Sequence, residues 1–198
     1  MTKIEIVDFI YNILSPVDKT GRFHKAQIAA ACDVVYAQQI SRFFDSLFEE
    51  LDTFSKEYTN CTITLDSTKN TYYTALPCNV ISIPRVTSGV LHVNTKQGTD
   101  LDFVPTSEIE YAYMGGSTTQ LVDTTIGYRV QGQKIWYNES MTADIASAGV
   151  RVVVLPRFSA WDRTDEVNIP KATDLEFMGL VIQLLAPTAP VDLKANNA

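Results

Sequence analysis

Apolar positions recur along this chain in two different rhythms. Near the start the spacing is helical. Ile6, Phe9, Ile10, Ile13 and Leu14 share one face, Thr2 and Glu5 stand at capping-box spacing before them, and Ser15-Pro16 closes the run. Asp18–Gly21 reads as a turn. A second, longer helix is expected from about His24 to Phe54, with Ala37, Ile40, Phe44, Leu47 and Leu51 as its apolar stripe. Glu49, Glu50 and Asp52 stand off that stripe, as a solvated face would.

From Tyr58 the period shortens to that of strands. Cys61, Ile63 and Leu65 alternate with threonines, and a polar turn over Asp66–Asn70 leads into Tyr72–Leu76, a hairpin signature. Extended segments are expected at Val80–Val86, Val90–Asn94 and Leu101–Val104, separated by Ser88-Gly89 and Gln97-Gly98. A short helix is expected from Ser107 and Glu110 to about Met114, ending at Gly115-Gly116. A second hairpin pairs Tyr128–Val130 with Lys134–Tyr137 across Gln131-Gly132, and Val150–Leu155 is a purely aliphatic strand. Thr173 and Glu176 open a last helix carrying Leu175, Met178, Val181, Ile182 and Leu185.

Leu76-Pro77, Ile83-Pro84, Val104-Pro105, Leu155-Pro156 and Ile169-Pro170 place proline where strands must stop or lie at an edge, because proline offers no ladder donor. The fold class is α+β: an N-terminal helical hairpin (1–57), a central antiparallel β-rich part closed by a C-terminal helix (58–185), and an extended C-terminal arm (186–198).

Composition narrows the function. The 198 residues are 45% hydrophobic and 20% charged, which excludes wholesale disorder. A net charge of −7 disfavours a dedicated nucleic-acid binder, since phosphate affinity is a Lys/Arg effect. Glu5 and Asp8 interrupt what would be a signal sequence, and no apolar run reaches the roughly 18 residues of a spanning helix. The reading is of a soluble chain in a reducing compartment, with the Asn60 and Asn138 sequons fortuitous. Cys32, Cys61 and Cys78 show neither paired nor zinc-type spacing.

Candidate chemistry is sparse. His24 and His92 have no metal-type partner at helical spacing. Asp100 and Asp102 read as charges solvating an edge strand, as do Asp162, Asp165 and Glu166 around Arg163 as a solvated loop. Gly115-Gly116-Ser117 reads as a turn. Tyr111 with Tyr113, or Tyr128 with Trp136 and Tyr137, could stack a sugar, but alternation sends Trp136 and Tyr137 to opposite faces of their strand. No enzymatic motif and no cofactor site is expected.

Tyr73-Thr-Ala-Leu-Pro77 with Ile81-Ser-Ile83, then Gly127–Trp136, Val152–Arg157 and a helix preceded by Ile169-Pro170, resembles the head-to-tail connector (neck ring, or adaptor) proteins of short-tailed bacteriophages, the crAss-like group among them. The resemblance spans roughly Thr71 to Leu185 and implies a structural virion protein. It would form a homo-oligomeric ring of about twelve copies between the portal protein and the tail or neck proteins, through which DNA passes without specific binding. On that reading Pro187, Pro190, Val191 and Leu193 are the partner-contacting residues of an extended arm, and no membrane is involved. The other function class weighed is a carbohydrate- or receptor-binding module of a tail or surface protein, which would need an exposed Trp136 or Trp161.

Overall fold

The computed structural model describes residues 1–16, 23–44, 51–83, 88–95, 103–106, 126–138, 141–170 and 172–186. In chain order the elements are α1 (Lys3–Leu14), α2 (Lys25–Phe43), α3 (Leu51–Phe54), β1 (Lys56–Cys61), β2 (Ile63–Asp66), β3 (Thr71–Ala75), β4 (Val90–Thr95), β5 (Val104–Pro105), β6 (Gly127–Gln131), β7 (Lys134–Tyr137), α4 (Ala143–Ala148), β8 (Val150–Val154) and α5 (Asp174–Leu185). The α+β class read from the sequence is the observed one. The chain forms two compact units, one from Met1–Phe54 with Arg157–Ala198 and one from Ser55–Pro156.

The helical unit begins where its capping box says it should. The Thr2 hydroxyl accepts from the Glu5 N–H, and the Glu5 carboxylate accepts from the Thr2 N–H at 2.8 Å. The N–H groups of Lys3 and Ile4, left without partners inside α1, donate to the carbonyls of Asp165 (3.0 Å) and Arg163 (3.1 Å). The Lys3 Nζ donates to the carbonyls of Ser159 and Trp161, and the Ser159 N–H donates to Asp33 on α2. These bonds fasten the Trp-bearing loop to the first two helices.

Helix α5 packs on α1 and α2. Its Phe177, Met178 and Val181 join Ile6, Ile10, Ile28, Tyr36 and Ile40 in the core, and the Phe158 ring lies 6.2 Å from Tyr36 and 6.0 Å from Phe177. The division expected from the sequence therefore needs correcting. The C-terminal helix belongs to the helical unit and does not close the β-rich part, because it packs on α1 and α2 and the loop before it is bonded to the first turn of α1.

Three smaller differences stand beside that one. The second helix is described as far as Phe43, with helix again over Leu51–Phe54 as α3. Its buried positions, Ile28, Ala31, Cys32, Val35, Tyr36 and Ile40, begin earlier than the expected stripe. Cys61 and Ile63 belong to two strands in different sheets, separated just after Asn60 turns through a φ of 63°. Finally, β5 pairs with β6 in parallel, whereas the other described pairings are antiparallel. Pro105 is tolerated because β5 is the outermost strand of its sheet.

The β unit holds a three-stranded sheet, β1-β8-β4, and a five-stranded one, β2-β3-β7-β6-β5. Val150, Val152 and Val154 of β8 share one core with Tyr128, Ile135 and Tyr137 of the larger sheet. That core contains a satisfied polar pair, the Tyr137 hydroxyl donating to the Thr74 hydroxyl at 2.8 Å, with the Phe103 ring edge-on to Tyr137 at 5.7 Å.

Candidate functional surface

The strand β7 divides its side chains between two faces. Ile135 and Tyr137 enter the core with no exposed surface, and Lys134 and Trp136 emerge on the opposite side. The expected hairpin turn makes this register obligatory. Gln131 pairs with Lys134, and Gly132 between them adopts a φ of 63°, a value a side chain would strain. Tyr73 on β3 lies directly opposite Trp136, which in turn faces Arg129 on β6.

The Tyr73 and Trp136 rings are 5.2 Å apart and tilted by 43°. Lys134 Nζ sits 3.9 Å from the centre of the Tyr73 ring and 5.2 Å from that of Trp136. Lys69 Nζ caps Trp136 at 4.2 Å. Its position is set by the β2–β3 turn, in which the Asp66 carboxylate accepts from the N–H groups of Thr68 and Lys69. An ammonium held over a ring is attracted by the ring quadrupole yet still presents N–H donors outward. The result is a face with cations outermost and aromatic rings beneath. Trp136 keeps only 6% of its surface exposed.

Most other candidates read from the sequence go elsewhere. Tyr128 and Tyr137 are core residues, and burial raises both phenols above their ordinary value, Tyr128 to about 12. Trp161 is half-buried on the helical unit. His24 is the N-cap of α2, and His92 is exposed on β4. Cys32 is buried, and desolvation, aided by Asp33, lifts its thiol to about 12; Cys61 and Cys78 are also pushed up by burial. Thiols so shifted stay protonated near neutrality and are poor nucleophiles. Among the described residues no group of His, Cys, Asp and Glu is placed to hold a metal, and no helix is long and apolar enough to cross a membrane.

Asp100, Asp102, Tyr111, Tyr113 and Gly115-Gly116-Ser117 lie outside the described residues, as do the arm residues Pro187, Pro190, Val191 and Leu193. Asp162, Asp165 and Glu166 occupy the loop fastened to α1. Nearby, a polar pocket of about 410 Å³ lies beside the Met1 amine, which donates to Asp174 at 2.9 Å.

Trp136 is legible in the sequence as a candidate, but its companions Tyr73, Lys69 and Lys134 are not. Only the strand pairing brings them together, although Lys134 at two residues from Trp136 was a usable signal. No family model matches the chain, and no curated protein matches it.

Proposed function

We propose that this chain is a structural virion protein, without catalytic activity, that forms an oligomeric ring in a phage neck, joining the portal to the tail and letting DNA pass. One observation carries the reading furthest. On the helical unit Leu175, Leu180 and Leu184 of α5 are 69%, 38% and 51% exposed, and Phe9 and Ile13 of α1 are 40% and 42% exposed. Leu180 with Leu184, and Phe9 with Ile13, stand one helical turn apart, and exposed apolar pairs of that kind are typical of faces that another chain covers, while Leu175 is exposed on the opposite side of α5. The connector resemblance supplies the kind of assembly, and closed rings are built from repeated heterologous contacts.

Native mass spectrometry of the purified protein, together with electron microscopy of particles carrying a labelled copy, tests this. Ring-sized species, or a label at the neck, are the expected results. Deleting residues 187–198 should impair ring or neck assembly while leaving the fold intact. A monomer that binds glycans would point instead to a carbohydrate- or receptor-binding module.

A further inference from the structure

The ring reading leaves open which surfaces meet. We infer that the Lys69–Lys134–Arg129 face of the larger sheet docks on the Asp162–Glu166 loop of a second copy of this chain. The inference rests on the ring reading and adds its contact chemistry.

Charge is the first argument. Acidic residues outnumber basic ones 23 to 16 in the chain, yet this face gathers Lys69, Lys134 and Arg129 around Trp136. A cationic face on an acidic protein finds its complement on another copy of the same protein.

Preorganisation is the second. Both lysines are held over rings, so little of their rotamer freedom remains to be lost on binding. The acidic loop is equally fixed. The carbonyls of Arg163 and Asp165 accept from the first turn of α1, and the Asp165 carboxylate accepts from the Asp162 N–H at 2.9 Å. Asp162 and Glu166 are both exposed on it.

The arrangement of the rings favours a carboxylate partner over a nucleic acid. Proteins that hold single strands stack bases on open aromatic faces. Here the indole is 6% exposed beneath Lys69, and Lys134 stands over the half-buried Tyr73 ring, so the face offers ammonium groups ahead of its aromatic rings. With a net charge of −7 the chain as a whole also repels a polyanion. The two surfaces lie on different parts of the chain, so the contact can repeat head to tail from copy to copy, as a ring requires.

The test is self-association by sedimentation at low and high salt, using the full chain. Lys69→Glu with Lys134→Glu should weaken association by about tenfold or more, as should Asp162→Lys with Glu166→Lys. Mixing the two reversed proteins should restore it. Lys69→Met with Lys134→Met keeps the apolar stems over the rings and guards against a folding artefact; it should weaken association less than the reversal does. If wild type assembles and the reversed variants assemble equally well, the docking contact is overturned while the ring reading stands. If wild type stays monomeric at every concentration and also never enters particles, both are overturned. If wild type binds a DNA duplex of about 20 base pairs and the lysine reversal abolishes that binding, the face belongs to nucleic acid and the docking contact is overturned.

Discussion

In the helical unit Leu175 stands 69% exposed on α5, whereas in the β unit Trp136, a larger and equally apolar side chain on an outward sheet face, is only 6% exposed. The difference lies in what the chain itself provides as cover. Trp136 has Lys69, Lys134 and Tyr73 upon it, each positioned by a turn or a strand register. Among the described residues no comparable cover lies over Leu175, Leu180 and Leu184. One surface has been converted from apolar to cationic by its own neighbours, and the other still presents apolar side chains. The two units therefore present different surface chemistry, apolar on the helical unit and cationic on the β unit.

The two tryptophans fall one in each unit, which makes the comparison measurable. Phe158 is fully buried between Tyr36 and Phe177, so Phe158→Ala should cost the helical unit about 3–5 kcal/mol, the largest effect foreseen. In denaturant, the fluorescence transition of Trp161 should move strongly in a Trp136→Phe background. That of Trp136 should move little in a Trp161→Phe background. Transitions that shift together would show that the units unfold as one and would break the comparison.

The reciprocal change acts on the β unit. Gly89 has a φ of 88°, and a Cβ there would stand 2.6 Å from the Ile81 carbonyl oxygen, a backbone atom that cannot swing away. That backbone is tied down, since Ile81 N–H donates to Leu155 and Leu155 N–H donates to Gly89. Gly89→Ala should cost about 1–3 kcal/mol, now read through Trp136 and sparing Trp161.

The sequence yielded what is local. The capping boxes at Thr2/Glu5 and Thr173/Glu176, the hairpin around Gly132 and the aliphatic strand at Val150 each depend on a few neighbouring residues, and each is present. The short helix α4 was missed although the Thr142 cap, Asp144 in its first turn and Gly149 after its end announced it. Non-local features were not legible. Nothing near Asp165 says that its carbonyl receives the Lys3 N–H, so the last helix was assigned to the wrong unit. The cationic face failed for the same reason. Alternation separates Trp136 from Tyr137, but only the β3–β7 register sets Tyr73 beside it, and only the β2–β3 turn brings Lys69 over it.

Removing the lid tests its energetic weight. Lys134→Met keeps an apolar stem over Tyr73 and Trp136 but discards the charge, and should destabilise the β unit by about 0.5–1 kcal/mol. Thermal unfolding followed through Trp136 measures it, with a red shift of native-state emission expected if water gains access to the indole. An unchanged melting temperature and spectrum would mean that the lysine merely rests on the rings.

The smallest effect concerns how the helical unit fastens its first residue. Met1's amine donates to Asp174, and that hydrogen bond, together with the charges of Asp174, Glu166 and Glu5, raises the amine's pKa above its ordinary 8.0 against a smaller opposing desolvation. A group whose pKa is raised on folding binds its proton more tightly in the native state. Its contribution is therefore complete below the unfolded pKa and fades as pH climbs through the folded one. Asp174→Asn should lower stability by less than about 1 kcal/mol at neutral pH, because both partners are partly solvated. The gap between variant and wild type should close above pH 8.0, as the wild-type amine loses its proton. Melting curves of the two proteins from neutral to alkaline pH decide the matter. A gap that stays constant across that range would mean that Asp174 acts through the first turn of α5, where an acidic side chain favours the helix at either pH.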